Sequence, residues 1–410
     1  MIRKCMTVFI VLVFTLAAFP VWGQPRAGEG NIKAGPLEVH PSIGITQTWT
    51  DNVYRSYDGK AKESDWITTI SPGLELILPL RRHSVKAGYF ADIYRHKDRD
   101  ENNYTRHLFT AGLNLDFPGG LAVTLKNDYI DSEVTRKWRE QPGLAGSADP
   151  YRAKPYASND FLARARYGFS DRWAVAAWYN LYAYGYDNEF DRTGDFDRHL
   201  GGGSIFYRIA PKTEVLVEYS RSTVDYSKSP SSDNKNDTAY VGLQFDPTAK
   251  LSGHLKLGWT QRKYDTPQFA NETRFDTFST RVDLTYGLSP FDTIRLRGSR
   301  TIEEDIDTNA AYTRDDYSLG YSHILSMNEK IRLNASIGFG RERHEGPSTD
   351  TDGLLKNRSD DILYTTLSAD YVMQRWLMWT LSYSYYDRDS TFIRYDGTEN
   401  VVFLKGRISF

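Results

Sequence analysis

The chain has 410 residues, of which 40% are hydrophobic, 25% charged and 14% aromatic, and its formal net charge at pH 7 is −2. A charge so close to zero gives no basis for binding a polyanion, so nucleic-acid binding has no support. No stretch beyond the amino-terminal segment reaches the ~18 apolar residues of a membrane-spanning helix, which excludes a helical membrane protein. A transmembrane β-barrel fits this composition, because only every second residue of its strands faces lipid.

The amino-terminal segment has the pattern of a secretory signal peptide. Arg3 and Lys4 precede an apolar stretch from Met6 to Pro20, and Val21-Trp22-Gly23 supplies small or branched residues before a cleavage point at Gln24. The apolar stretch is shorter than the ~20 residues that a spanning helix needs, which argues against the alternative of an amino-terminal membrane helix. We therefore predict a signal peptide over residues 1–23, followed by a short, flexible periplasmic segment over residues 24–36.

From Leu37 onward the chain repeats the period-two alternation of strands that are exposed to lipid on one face. The last strand shows it clearly, since Val402, Leu404, Gly406, Ile408 and Phe410 alternate with Val401, Phe403, Lys405, Arg407 and Ser409. We count eighteen such segments between residues 37 and 410. They predict an all-β fold, a transmembrane antiparallel up-and-down β-barrel of about 18 strands, with 16 or 20 strands as alternatives. The terminal aromatic, Phe410, is the expected signal for assembly into the membrane.

The connections between these strands alternate between short turns and longer polar loops. Short turns are expected at Pro118-Gly119-Gly120, Ser170-Asp171-Arg172, Pro247-Thr248-Ala249, Ser289-Pro290-Phe291 and Met327-Asn328-Glu329. Short turns are typical of the periplasmic side, so both termini lie there and the number of strands is even. A soluble β-sandwich also has many alternating strands. It would not explain the outward aromatic residues near both strand ends, which predict two interfacial girdles.

A family resemblance is carried by the first two strands and the loop between them. Its residues are Gly44, Thr50-Asp51-Asn52-Val53-Tyr54-Arg55, Ser64-Asp65-Trp66-Ile67 and Ile70-Ser71-Pro72-Gly73-Leu74. This opening resembles that of the outer-membrane β-barrel porins often encoded with exopolysaccharide biosynthesis and export genes. The resemblance implies an outer-membrane protein linked to polysaccharide secretion, and it assigns no functional residue.

The sequence shows no catalytic, cofactor or metal motif. The eight histidines lack His-x-x-x-His spacing, no Gly-x-Ser-x-Gly occurs, and the only cysteine, Cys5, lies in the predicted signal peptide. Disulfides, c-type haem attachment and thiolate metal sites are therefore not expected in the mature chain. Acidic runs such as Asp98-Arg99-Asp100-Glu101 are expected to be solvated, with calcium binding or cation bridging to lipopolysaccharide as the alternative. A catalytic triad assembled from distant strands remains open, so an outer-membrane enzyme stays as an alternative.

Basic residues recur on the inward face in the periplasmic half of the predicted wall. They are Lys86, Lys126, Arg166, Arg208, Lys256, Arg295, Arg297, Arg332, Lys405 and Arg407. Such a ring would attract anions into the lumen. The alternative is a neutral ladder of cross-strand pairs, with Glu75 opposite Lys86, Glu214 opposite Arg208, and Asp283 close to Arg295 and Arg297. Inward aromatic residues at Trp178, Tyr182, Tyr184, Phe206 and Tyr240 are expected to fill the barrel, with stacking on sugar rings as the alternative.

The longest predicted connection runs from Asp131 to Ala157 and is a candidate constriction loop. It carries basic and aromatic residues: Arg136, Lys137, Trp138, Arg139, Tyr151, Arg152 and Lys154. Long loops without regular structure are often functional. Folded inward, this loop would narrow an 18-stranded lumen. The alternative is a loop that caps the barrel or contacts lipopolysaccharide.

Together these observations predict an outer-membrane pore or accessory barrel of a Gram-negative bacterium, for passage of exopolysaccharide or saccharide. Three alternatives stay open: a general or solute-specific porin, an outer-membrane enzyme, and a structural or adhesive barrel with a closed lumen. The expected partners are outer-membrane lipid, lipopolysaccharide, the barrel assembly machinery and components of polysaccharide secretion.

Overall fold

The computed structural model describes residues 32–134, 154–229, 232–247, 250–266, 273–304, 311–325, 329–349 and 355–410. Nineteen strands account for nearly all of them. They are β1 (Ile32–Ala34), β2 (Leu37–Thr50), β3 (Asp65–Leu80), β4 (His83–His96), β5 (Tyr104–Asp116), β6 (Leu121–Val134), β7 (Lys154–Gly168), β8 (Trp173–Tyr186), β9 (Phe196–Ala210), β10 (Thr213–Tyr226), β11 (Asn234–Phe245), β12 (Leu251–Tyr264), β13 (Arg274–Gly287), β14 (Asp292–Glu304), β15 (Ala311–Ile324), β16 (Ile331–Thr349), β17 (Leu355–Gln374), β18 (Leu377–Ser390) and β19 (Gly397–Ser409). Short 3₁₀ helices occupy Asp100–Asn102, Glu189–Gly194 and Ile393–Tyr395.

Strands β2 to β19 form a closed antiparallel barrel of eighteen strands. Each pairs with the next along the chain, and β19 returns to β2 through a ladder from Val401↔Thr50 to Ser409↔Ser42. The predicted fold class and strand number are therefore confirmed. The three residues of β1 pair with the start of β2, so part of the segment expected to be flexible is a short hairpin. The predicted signal peptide, residues 1–23, lies outside the described residues.

The outer face of the barrel is apolar because the strands keep a strict period of two. Ile45, Val217, Val241 and Leu257 are each about half exposed, as lipid-facing side chains are when no lipid is present. Their sequence neighbours point inward, and the fully buried residues include inward Leu216 and Thr260. Outward apolar side chains in such number are favourable only in contact with lipid, so the alternation is typical of a membrane protein.

Aromatic residues mark both ends of the lipid-facing band. Near the outer end, the register places Trp49 opposite Trp66, and Trp259 opposite Phe278. Near the periplasmic end, the ring centroids of Trp173 and Tyr207 lie 4.7 Å apart, and those of Trp376 and Phe410 lie 6.2 Å apart. These pairs sit where aromatic rings are favoured at membrane interfaces.

The periplasmic turns are short, and one of them depends on a glycine. Gly120 has a φ of +82°, and a Cβ on it would lie 2.7 Å from the carbonyl oxygen of Gly168 at the end of β7. On the other side of the membrane, β16 and β17 have 19 and 20 residues. A strand crosses a bilayer in about 9–11 residues, so these two strands extend well beyond the lipid.

Among the described residues, no helix is long and apolar enough to cross a membrane.

Candidate functional site

The inner wall of β13 to β18 lines a cavity of about 1450 Å³ in the lumen. Most of its lining residues have polar side chains, with hydroxyl, amide and guanidinium groups supplied by Thr285, Thr293, Arg295, Arg297, Ser318, Ser322, Asn334, Ser336, Thr366 and Ser368. These residues come from inward positions of consecutive strands. The lumen is therefore the candidate functional site.

Hydrogen bonds connect the hydroxyl and amide groups across neighbouring strands. The Asn334 amide nitrogen donates to Ser368 Oγ at 3.2 Å and to the Asp370 carboxylate at 3.1 Å, while its oxygen accepts from Ser322 Oγ at 2.8 Å. Thr380 Oγ1 also donates to Asp370, at 2.7 Å. The polar surface is thus fixed by cross-strand contacts.

Six of the ten predicted basic residues contact inward carboxylates. Arg166 forms two hydrogen bonds with Glu214, at 2.9 and 2.8 Å, and Arg208 lies 3.6 Å from the same carboxylate. The remaining contacts are Lys126 to Asp128 at 2.5 Å, Lys256 to Glu218 at 2.7 Å, and Arg295 and Arg297 to Asp283 at 2.8 and 3.9 Å.

The other four basic residues, Lys86, Arg332, Lys405 and Arg407, have no carboxylate within 4.0 Å among the described residues. The expected pairing of Glu75 with Lys86 is wrong, because the register places Gly88 opposite Glu75 and Ile77 opposite Lys86. The wall is therefore neither a complete neutral ladder nor an uninterrupted basic ring.

Two lumen cations that the sequence analysis missed are Arg164 and Arg281. Arg281 lies directly opposite Lys256 on the neighbouring strand, and its guanidinium lies 5.8 Å from the centre of the Tyr240 ring. Arg164 lies within electrostatic reach of Lys256 although their strands are not neighbours. Both residues follow the inward alternation of β7 and β13, so strict parity would have found them.

Most of the predicted inward aromatic residues pack against other side chains of the wall. Phe206 and Tyr240 are nearly fully buried, and the Arg166 guanidinium lies 4.2 Å from the centre of the Phe206 ring. Nearer the outer end, the Phe196 ring lies 5.8 Å from both Tyr182 and Tyr184. These contacts favour the barrel-filling interpretation.

A buried ionic network lies inside the extracellular end of β15 to β18. Arg388 donates hydrogen bonds to Glu342, at 2.5 Å, and to Asp360, while Arg358 contacts Asp360 at 2.7 Å and Arg314 contacts Glu342 at 3.2 Å. The side chains of Glu342, Asp360, Arg358 and Arg388 are at most 4% exposed. The Arg358 guanidinium lies 3.4 Å from the centre of the Tyr395 ring, which holds the β18–β19 connection against the network. In that connection, burial raises the pKa of the Asp396 carboxyl.

This network contains one group with metal-ligand chemistry, formed by Glu342, His344 and Asp360. Their ligand atoms lie within 4.8 Å of one another. Arg388 already bridges the two carboxylates, and Arg358 adds a second guanidinium beside them. A metal cation would have to displace or approach these positive charges, so the arrangement fits an ionic cross-link better than a metal site.

The extracellular ends of β14 and β15 fold toward the lumen. The β13–β14 ladder runs only from Gly287↔Thr293 to Thr280↔Arg300. Beyond it, the Ile302 carbonyl accepts from Arg262 on β12 at 3.0 Å, and the Glu304 carboxylate accepts from Tyr226 at 3.0 Å and from Asn234 at 3.1 Å. These partners are inward residues of β10 to β12, so β14 leaves the wall and narrows the mouth.

Most of the predicted constriction loop lies outside the described residues, including Arg136, Lys137, Trp138, Arg139, Tyr151 and Arg152. The prediction for Lys154 needs correction, because Lys154 is the first residue of β7 and lies opposite Val134. Both flanking strands extend further than the alternation of apolar residues indicated, since their outer ends are polar.

The residues that carried the family resemblance have structural roles. Asn52 is fully buried, donates to the carbonyls of Ser56 and Thr398 at 2.9 and 3.1 Å, and accepts the Ser56 N–H at 2.7 Å. Asp65 accepts the N–H groups of Trp66 and Asp98 at 2.7 and 3.1 Å. They secure the loops beside the strand pair that closes the barrel.

The family profile described as "Putative beta-barrel porin 2" matches residues 24–157 and 185–410. The chain belongs to this family. It is therefore an outer-membrane β-barrel with a porin-like fold, and the family points to a transport channel rather than an enzyme. The predicted family is confirmed.

Among curated proteins, none is significantly similar to this porin in sequence. Solved structures similar to it include OpdK from Pseudomonas aeruginosa, at 10% identity and a TM-score of 0.48, covering 91% of this chain and 98% of that chain. OpdL from the same organism has 12% identity and a TM-score of 0.46, covering 91% and 98%. A bacterial polysaccharide outer membrane secretin has 10% identity and a TM-score of 0.40, covering 91% and 97%. At such low identities, these similarities carry no information about the substrate.

Proposed function

We propose that this porin is a passage, or an accessory barrel of a passage, for saccharide or exopolysaccharide across the outer membrane. The observation that carries the proposal is the polar wall of β13 to β18 around a cavity of about 1450 Å³. Its hydroxyl and amide groups match the hydrogen-bonding groups of a sugar, and they lie at successive positions around the wall. A chain of sugar units could exchange one set of partners for the next as it moves.

Asn334 is the centre of this polar surface. It contacts Ser322, Ser368 and Asp370 on the adjacent strands, so the amide is held in one orientation. Both of its N–H groups are used within the wall, but its oxygen accepts only one hydrogen bond and can accept a second from a sugar hydroxyl. An acceptor that is already fixed in place lowers the entropic cost of this binding. Polar groups are also weakly selective, which suits a substrate that must be released as well as bound.

The test is single-channel recording of the full mature chain in planar bilayers with neutral malto-oligosaccharides. We expect transient current blocks that lengthen with the number of sugar units, and shorter blocks when Asn334→Ala and Ser368→Ala are combined. Gln261→Ala, which removes an exposed contact with Asp276 at 3.1 Å, is the control and should leave the blocks unchanged.

The alternatives give different results in the same preparation. A porin for small solutes would admit monosaccharides and small ions without blocks that depend on chain length. An enzyme would shorten the oligosaccharides during the recording, which chromatography of the bath solution detects. Either result would overturn the proposed function.

A further inference from the structure

One lysine and one arginine face each other in the lumen, at a pair of positions where a neutral ladder would place one carboxylate. Lys256 on β12 lies directly opposite Arg281 on β13. Like charges in this position destabilise a sheet. Arg164 on β7 adds a third positive charge. Arg166, at the next inward position of β7, reaches Glu214 on β10, the strand whose Glu218 binds Lys256. The sequence keeps three cations together at a cost in folding stability.

One nearby carboxylate neutralises the lysine of this group, but none neutralises its two arginines. Glu218 binds Lys256 at 2.7 Å and also accepts from Ser204 Oγ at 3.0 Å. Asp283 is engaged by Arg295 and Arg297 at 2.8 and 3.9 Å. Among the described residues, Arg164 and Arg281 have no carboxylate within 4.0 Å, and both are exposed to the lumen.

The lumen is narrower beside β7 to β10, because side chains of these strands meet across it. Arg166 on β7 reaches Glu214 on β10, and Ala174, Ala176, Phe206 and Leu216 form a buried cluster between them. Strands β7 and β12 are not neighbours, so Arg164 approaches Lys256 across the interior and not along the sheet. Arg281 also lines the cavity of about 1450 Å³, so a chain that passes through this cavity would run close to Arg281.

We propose that Arg164, Lys256 and Arg281 form a binding site for the anionic group of an acidic saccharide. Guanidinium groups bind carboxylate and phosphate oxygens through paired N–H donors, and the lysine supplies a point charge. The site takes a carboxylate, as in a uronate unit, or a phosphate on a sugar. This inference rests on the proposed function, and it narrows the substrate class to anionic glycans.

The test combines two measurements on the full mature chain, first without saccharide and then with it. In a potassium chloride gradient, the wild-type reversal potential should show anion preference, and Arg281→Gln and Arg164→Gln should each reduce it. Arg341→Gln is the matched control, because Arg341 pairs with Asp361 on the outer surface and both side chains are about half exposed. An unchanged reversal potential in both lumen variants would overturn the site.

Saccharide block then identifies the anionic group. Oligogalacturonates should block the wild-type pore longer than malto-oligosaccharides of equal length, and Arg281→Gln should shorten only the acidic block, by about tenfold for a lost charged hydrogen bond. Phosphorylated malto-oligosaccharides distinguish phosphate from carboxylate binding. Equal shortening of acidic and neutral blocks would contradict the site, whereas absence of any block would contradict the proposed function and leave the reversal potential to test the site. Arg281→Lys keeps the charge and should retain the anion preference. If Arg281→Gln does not fold, Arg164→Gln and Arg281→Lys are compared instead.

Discussion

Arg388 shows how a single side chain can stabilise the extracellular mouth of the barrel. Its guanidinium bridges Glu342 on β16 and Asp360 on β17, and all three side chains are buried. Removing one partner from a buried ion pair leaves an uncompensated charge, which costs far more than losing an exposed pair. The loss of one side chain from this network should therefore destabilise the barrel more than the loss of an exposed ion pair.

Arg388→Met should lower the free energy of unfolding by about 3–5 kcal/mol. Asp360 would keep Arg358, but the buried Glu342 would keep only Arg314, which it shares with Asp316. Urea unfolding in lipid vesicles, followed by tryptophan fluorescence, measures this change. Arg341→Met breaks the exposed Arg341–Asp361 pair and should cost at most about 1 kcal/mol. Equal losses in the two variants would show that the network does not behave as a buried one.

Phe410 is the residue-scale prediction for assembly. Its ring stacks on Trp376 with the planes 8° apart, and its N–H donates to the Pro41 carbonyl at 3.0 Å. Removing Phe410 should reduce the amount of folded protein in the outer membrane, with secretion into the periplasm unaffected. Heat-modifiable gel mobility reports the folded fraction, and Phe410→Tyr, which keeps an aromatic ring, should behave like wild type. Full heat-modifiability of the deletion would argue against the role.

At the scale of strands and loops, the end of the β14–β15 hairpin is the described element that narrows the mouth. Tyr264, Phe275, Ile302 and Ala311 form a buried apolar cluster there, and Glu304 is bound by Tyr226 and Asn234. Ile302 would face outward if the alternation of β14 continued. It is buried because the strand leaves the wall beyond Arg300.

Replacing residues 303–312 by a Gly-Ser turn should raise the single-channel conductance, because it removes the contacts by which Glu304 holds the end of β14 toward the lumen. Replacing residues 350–354 in the same way is a comparison for the loss of an outer connection. The predicted constriction loop is tested separately by deleting residues 137–149, which should raise conductance and weaken anion preference. If only the deletion of residues 137–149 raises the conductance, the constriction lies in that loop. If only the replacement of residues 303–312 raises it, the constriction lies in the β14–β15 hairpin.

The strands could be predicted from the sequence because lipid on one face imposes a period of two that local reading detects. Register and departures from the wall could not. The Glu75–Lys86 pairing failed because Glu75 lies two residues away from the position opposite Lys86. The Arg388 network could not be predicted, because the sequence does not show that Glu342, Asp360 and Arg388 lie at the same level of the barrel. The inward course of Thr301 to Glu304 could not be predicted either, because it depends on partners on β10 to β12.

For the whole molecule, an even number of strands places both ends of the barrel on the same side of the membrane, and the short turns on that side predict that it is the periplasmic side. Cysteine labelling tests this orientation, because Cys5 is the only natural cysteine and lies in the predicted signal peptide. Lys97→Cys and Lys228→Cys, at exposed positions in outer connections, should react on intact cells with a membrane-impermeant maleimide. Gly119→Cys, where an added Cβ meets nothing within 4 Å, should react only after the outer membrane is opened. Labelling of Gly119→Cys on intact cells would reverse the orientation.

The central claim is that the lumen of the eighteen-stranded barrel conducts saccharide. Proteoliposomes of the full mature chain, loaded with fluorescent oligosaccharides and with labelled polyethylene glycol of equal hydrodynamic size, test it directly. The account predicts release of the oligosaccharides faster than release of the polyethylene glycol, with acidic chains released at a rate that depends on Arg281. Retention of both polymers at the level of protein-free liposomes would contradict it and would indicate a closed barrel.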